Sequence, residues 1–285
     1  MANSVSQVAS AYCNLSLTPA QQARLARLTP YRFNTWTLPD GALLTEPYLP
    51  LACPPAVPFT VIHTPPRPSD VPDYVETLNN PAVALQLYSP PYPYCPSHAE
   101  ERGKTVGQAV EAYFTKLIAK LDELGEEKEK ELQELPLGEG WRPDGLLCSA
   151  MRRQDTGEWL GDLFTQRWMF EDIREEGERA RVLAEMGKKA PGDPGVPWTF
   201  GFYLHPRAHG KRLMSPSLAS VISYFRTLLN SEELYGAAWV DNVPSLRIQE
   251  KNGFVKFASW VKQVSEAKGG GIRETDALKW QKPAE

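Results

Sequence analysis

The chain has 285 residues, 42% of them hydrophobic, with eight Trp, eleven Tyr and ten Phe. That is ample apolar material for a large core and excludes a disordered chain. With a formal net charge of −4 and a pI of about 5.7, no bulk positive field draws it to nucleic acid. No stretch reaches the length of a membrane span and the N-terminus lacks a basic, apolar leader, so a soluble cytoplasmic protein without nucleic-acid or membrane partners is expected. The four cysteines, Cys13, Cys53, Cys95 and Cys148, form no CxxC pair, which argues against a zinc or redox motif.

In chain order, residues 1–58 read as an irregular, proline-rich extension packing on a domain formed by residues 59–285. One helix is expected at 18–28, opened by Thr18-Pro19. A strand at 59–63 leads to a helix capped by Asp70, which runs to Leu78 and stops at Asn79-Asn80-Pro81. Residues 81–87 begin another short helix before a turn at 89–94, and Ser97 and Glu100 have capping-box spacing. A long helix follows over 106–135. It is amphipathic through Val110, Tyr113, Phe114, Leu117 and Leu121, then charged on most faces over 126–134 as a solvated projection.

Residues 146–153 and 158–168 form a hairpin across Asp155-Thr156-Gly157. The polar insert at 171–197, helical in its middle, is a lid or a surface excursion. Then come a strand at 198–204, a basic turn, a helix over 213–229, a strand at 236–240, a short helix, and strands at 254–264 and 275–280. A hairpin followed by strand–helix–strand–helix–strand gives the fold class α/β, in the mixed α+β sense. It implies a central twisted mixed sheet of about six to seven strands flanked by helices.

The apolar strand at 198–204 ends in His205-Pro206-Arg207-Ala208-His209-Gly210-Lys211-Arg212-Leu213. Gly210 lets a backbone approach a ligand closely. Amides of residues 208–213 can converge on an anion where the next helix begins, and Arg207, Lys211 and Arg212 add charge-assisted contacts to phosphate oxygens. Neither a GxxxxGK[ST] nor a GxGxxG motif is present. His205 and His209 straddle a proline turn without an acidic partner in sequence, so no metal site is expected there.

After the 236–240 strand, Asp241 or Asn242 caps a short helix with Pro244 in its first turn, and Asn252-Gly253 ends it. Asn242 and Ser245, three residues apart, share a face beside the strand end. Capping alone explains both residue types. Equally, the Asn amide there can hold a ligand carbonyl or amide, and the Ser hydroxyl can give a proton to a departing thiolate.

Taken together, these residues resemble the GNAT acyltransferase superfamily, in particular its Rim-type branch of ribosomal-protein N-terminal acetyltransferases and their small-molecule relatives. The 203–218 segment is similar to that branch's acetyl-CoA turn, Q/R-x-x-G-x-G/A. The 242–254 segment is similar to its N-x-x-S-x-x-x-x-E-K-x-G-F element. The resemblance spans residues 59–280 and implies a GNAT-like sheet, acetyl-CoA as cosubstrate and an N-acetyltransferase.

In that frame the amides of Ala208, His209, Gly210, Lys211, Arg212 and Leu213 hold the pyrophosphate, with Arg207 at the pattern's first position. Asn242 contacts the pantetheine arm and Ser245 is the general acid. A primary amine, on a small molecule or a peptide N-terminus, attacks the thioester directly. Arg212 stands where the family usually has Gly or Ala, and its side chain either crowds the pyrophosphate or swings outward and pairs with it. Residues 198–204 carry no carboxylate, so the base stays unassigned among Asp162, Glu158, Asp241 and His205. A second reading keeps the fold as a catalytically weak CoA-binding or interaction protein. Tyr88, Tyr92 and Tyr94 line an acceptor pocket or simply pack. Nothing in the sequence sets an oligomeric state.

Overall fold

The computed structural model describes residues 12–38, 41, 43–51, 57–134 and 142–282. In chain order the elements are α1 (Pro19–Leu28), β1 (Arg32–Thr37), β2 (Leu43–Pro50), β3 (Val61–Thr64), α2 (Val71–Asn79), α3 (Pro81–Ala84), α4 (Pro96–Glu134), β4 (Ala150–Arg153) and β5 (Trp159–Arg167). They continue with α5 (Glu176–Gly187), β6 (Trp198–Leu204), α6 (Met214–Thr227), β7 (Leu234–Trp239), α7 (Val243–Lys251), β8 (Phe254–Gln263) and β9 (Ile272–Trp280). The strands form one sheet in the order β1-β2-β3-β4-β5-β6-β7-β9-β8. No helix among the described residues is long and apolar enough to cross a membrane.

Local signals explain several boundaries. Thr18 and Gln21 form a reciprocal capping box at α1, with Pro19 in the first turn. Asn242 caps α7, its side-chain oxygen accepting the Ser245 N–H at 3.3 Å. Asp70 departs from expectation. Its side chain makes no capping bond to α2, because the carboxylate is held by the Arg67 N–H at 2.7 Å and by the buried guanidinium of Arg152. A charge-assisted pair between two buried groups outweighs a capping bond.

Residues 1–58, read as irregular beyond one helix, supply two strands. β1 and β2 pair antiparallel from Arg32↔Tyr48 to Thr37↔Leu43, and β2 joins β3 at Leu49↔His63. These two strands raise the sheet to nine among the described residues, above the six or seven expected. The long helix also starts earlier, at Pro96 rather than 106. His98, not Ser97, serves its first turn by accepting the Cys95 N–H at 3.0 Å. Gly103 and Gly107 leave that helix a notch into which Tyr12 packs. The charged run at 126–134 lies outside the described side chains.

Sheet parity sorts the core into two faces. Trp198 and Phe200 of β6 join the large cluster with Leu218, Val221 and Phe225 of α6 and Phe114 and Leu117 of α4. Tyr203 joins a smaller cluster on the opposite face with Tyr74 and Leu78 of α2 and Trp159 of β5. Along β5 the parity changes. Met151 pairs with Gly161 but Arg152 pairs with Trp159, so one extra residue bulges from β5. Gly161 fits this bulge, since a Cβ there would meet the Tyr203 carbonyl. Beyond the bulge, Asp162, Phe164 and Gln166 share the α2 face with Trp159.

β6 and β7 are parallel, whereas every other neighbouring pair runs antiparallel. Their register is confined to Trp198↔Leu234 and Thr199↔Tyr235, although β6 pairs with β5 along its whole length. Past Thr199 the two strands part, and the sheet opens at its middle.

Candidate active site

The opening between β6 and β7 is a continuous cleft with two chambers. One, of about 450 Å³, is lined by Leu204, His209, Gly210, Met214, Pro244 and Ile248. The other, of about 440 Å³, is lined by Phe164, Trp168, Glu171, Thr199, Trp239 and Lys262, among others. Phe202, Tyr203, Asn242 and Ser245 line both. The first chamber reaches the turn before α6. The second lies over the α2 face of the sheet, as the parity of Phe164, Gln166, Thr199, Gly201 and Ala237 requires. Asn242 and Ser245 therefore stand at the passage between them.

The turn before α6 is suited to an anion, though with a shifted set of donors. Ala208 and His209 spend their amides inside the turn, on His205 O (2.8 Å) and Pro206 O (3.1 Å). The amides from Gly210 to Ser215 have no protein acceptor among the described residues, and Leu213 provides no side-chain cap. These are the orphan donors of a helix N-terminus. Gly210 has φ +73°, with nothing within 4 Å of where its Cβ would lie, so the backbone is open to a ligand.

Arg207 is not available to a phosphate. Its guanidinium donates to Asp73 (2.8 Å) and to the Trp159 carbonyl (2.7 Å) and pairs with Glu158 at 3.0 Å. Burial works against its charge, but the Asp73 bond and the fields of Glu158 and Glu76 prevail and raise its pKa. The same guanidinium explains why Asp73, Glu76 and His205, whose ligand atoms lie within 4.8 Å of one another, form an ion-pair cluster. It sits 2.8 Å from Asp73 Oδ1 and 3.3 Å from His205 Nε2, where a cation would need to be. His209 bonds the Leu204 carbonyl through Nε2 at 3.0 Å.

Lys211 and Arg212 are exposed. Arg212 has φ +58°, a left-handed conformation that glycine adopts without strain.

At the passage, Asn242 uses its side-chain oxygen for the α7 cap, which leaves the amide NH2 without a partner among the described residues. Ser245 Oγ accepts a hydrogen bond from Gln249 Nε2 at 3.3 Å, so its own proton remains free to be donated. Gln249 is 1% exposed and its Oε1 has no partner. Gly236 makes room for it, since a Cβ there would collide with Gln249 Oε1. Sequence reading passed over Gln249. The available signal was its i+4 spacing from Ser245, which sets both on one helix face.

None of the four base candidates is a free base in the cleft. Asp162 is fully buried and accepts from Tyr74, Arg102 and Ser149. Glu158 pairs with Arg207, and Asp241 pairs with Arg273 at 2.6 Å. His205 Nδ1 accepts the Arg207 N–H at 3.1 Å. Tyr203, which lines both chambers, keeps its proton, since burial and then Asp162 push its pKa well above the ordinary value. Of the three tyrosines considered for an acceptor pocket, Tyr88 lines the second chamber and Tyr94 is buried in the α2-face core.

Residues 139–255 match the family described as acetyltransferase (GNAT) domain, a narrower span than the 59–280 of the sequence resemblance. No curated protein matches the chain in sequence. Among solved structures it is similar to an acetyltransferase (GNAT family) from Bacillus anthracis, at 9% identity over 81% of this chain and 97% of that one, with TM-score 0.49. RimL, the ribosomal L7/L12 alpha-N-protein acetyltransferase, is similar at 12% identity over 86% and 98%, with TM-score 0.48. The microcin C7 self immunity acetyltransferase in complex with acetyl-CoA and AMP is similar at 12% identity over 77% and 91%, with TM-score 0.45. Orphan amides at the start of α6, a sheet parted between β6 and β7, and the family match agree on one stretch of the chain: residues 139–255 carry a GNAT acetyltransferase domain, a domain of acyltransferases whose cosubstrate is acetyl-CoA.

Proposed function

We propose that the chain acetylates a primary amine, on a small molecule or a peptide N-terminus, by direct attack of the amine on the thioester of acetyl-CoA. The reading places the chain in the Rim-type branch, with residues 59–285 as the catalytic domain and residues 1–58 as an extension joined to its sheet. The observation that carries it is the passage. Asn242 and Ser245 line both chambers of one cleft, and the orphan amides of α6 open onto one of them.

In this reading the amides of Gly210, Lys211, Arg212 and Leu213 hold the pyrophosphate, with Lys211 and Arg212 adding charge. The free amide NH2 of Asn242 donates to a carbonyl of the pantetheine arm. The amine enters from the chamber over the α2 face, and Ser245 gives its proton to the departing thiolate while Gln249 Nε2 holds its oxygen. No side-chain base is assigned: the attacking amine gives up its proton to water, and Ser245 recovers one from the same solvent.

The test is thiol release from acetyl-CoA with a panel of amines, comparing the wild type with Ser245→Ala. Turnover reduced about a hundredfold or more with CoA affinity retained supports the role of Ser245. Binding of CoA without turnover on any amine supports the second reading, a CoA-binding protein on this fold.

A further inference from the structure

The chamber over the α2 face has a composition that selects among amines. Its lining holds one carboxylate and one ammonium among the described residues, Glu171 and Lys262, and these neutralise each other at 2.6 Å. No acidic group is left to attract a polycation, and no cation is left for an acidic peptide. The remaining walls are largely aromatic. Phe164 is half-buried and packs against Gly201, where a Cβ would collide with its ring. Trp168 is stacked on Tyr235 at 5.2 Å and 18°. Tyr88 stands edge-on to Trp239 at 6.0 Å and is 53% exposed.

These walls are built before any ligand arrives. Lys268 donates to the Leu87 and Tyr88 carbonyls at 2.6 and 3.1 Å, and Arg273 bonds the Leu85 carbonyl. The loop that carries Tyr88 is thereby tied to the β8–β9 hairpin. Lys262 lies 4.2 Å from the Tyr88 ring centroid. Two buried oxygens of the lining, Gln249 Oε1 and Thr275 Oγ1, have no hydrogen-bond partner. Both are shut off from the open space of the chamber, and leaving them unmatched is unfavourable.

We infer that the acceptor is a monoamine on an uncharged aromatic body, an arylalkylamine, rather than a polyamine or a peptide N-terminus. An aromatic ring gains most in such a chamber through offset and edge contacts with Tyr88, Trp168 and Phe164. A chamber of about 440 Å³ suits a ligand of that size. The inference rests on the amine-acetyltransferase reading and narrows it to one substrate class.

The experiment compares 2-phenylethylamine, spermidine and an alanyl dipeptide as acceptors for thiol release. In parallel, each is titrated against the CoA-loaded protein, with quenching of Trp168 and Trp239 fluorescence as the readout. The expected result is a kcat/KM for 2-phenylethylamine at least tenfold above the other two. In Tyr88→Ala its KM rises about threefold to tenfold with kcat and CoA affinity unchanged. Spermidine or the dipeptide equalling it, or a Tyr88→Ala variant with unaltered KM, overturns the inference. If no amine is acetylated, the amine-acceptor reading fails by itself. The titrations then decide the chamber's preference, and equal or absent binding of 2-phenylethylamine overturns it as well.

Discussion

His63 on β3 makes the stability of this fold depend on pH in a way that can be worked through. The ring is fully buried. Nδ1 bonds the Cys148 carbonyl at 3.1 Å and Nε2 has no partner. Burial pushes its pKa down from 6.5 to about 4, only partly offset by Asp162 and the Cys148 bond. The native ring is thus neutral while the unfolded ring takes up a proton below 6.5, so the unfolded state binds more protons and stability falls as pH falls from 6.5 toward 4. With those two values the loss is roughly 1.4 kcal/mol at pH 5.5 and roughly 2.5 kcal/mol at pH 4.5, relative to neutral pH.

Buried carboxylates add their own pH dependence, and Glu46, whose pKa burial raises, works in the opposite sense. The measurement is therefore a difference, wild type against His63→Gln, which keeps a donor for Cys148 and does not titrate. Urea unfolding at pH 7.5, 5.5 and 4.5 reads it. At an m value of about 3 kcal/mol/M, the wild-type midpoint drops relative to the variant by roughly 0.5 M at pH 5.5. Parallel profiles for the two proteins between pH 7.5 and 4.5 would refute a neutral His63 whose Nε2 has no partner.

Three further outcomes follow from the cleft. Gln249→Leu removes both the bond to Ser245 and an unpartnered buried oxygen. Stability should stay within about 1 kcal/mol of wild type, while kcat falls about tenfold at constant KM for acetyl-CoA; an unchanged kcat counts against an orienting role. Gly236→Ala forces Gln249 aside and brings a methyl to 3.1 Å from the Phe200 ring. We expect a loss of about 1–2 kcal/mol in chemical denaturation, with a kcat deficit like that of Gln249→Leu; a variant as stable and active as wild type contradicts the packing described. Arg212→Gly relieves a left-handed backbone and should raise stability by up to about 1 kcal/mol. In calorimetry at low salt it should also weaken CoA severalfold by removing a cation beside the pyrophosphate. Tighter CoA binding would instead mean that the arginine crowds the site.

What the sequence determined by itself is local. The capping residues Thr18 and Asn242, the apolar strand at 198–204, the glycine turn after it and the helix that follows are written in adjacent residues, because caps, turns and periodicity act within a few positions. So is the pairing of Asn242 with Ser245 on one helix face. The tertiary structure decided everything that depends on a partner far away in the chain. It assigned Arg207 to Asp73 and Glu158 instead of a phosphate, and Asp70 to Arg152 instead of a cap. It recruited β1 and β2 to the sheet edge, where their ladder is made by each other and by β3. It also shifted the parity of β5 at one bulge, and with it the side chains that floor the second chamber. The parting of β6 and β7 has the same origin. Hydrogen-bond register belongs to a pair of strands rather than to either one, so the cleft exists only once both are placed.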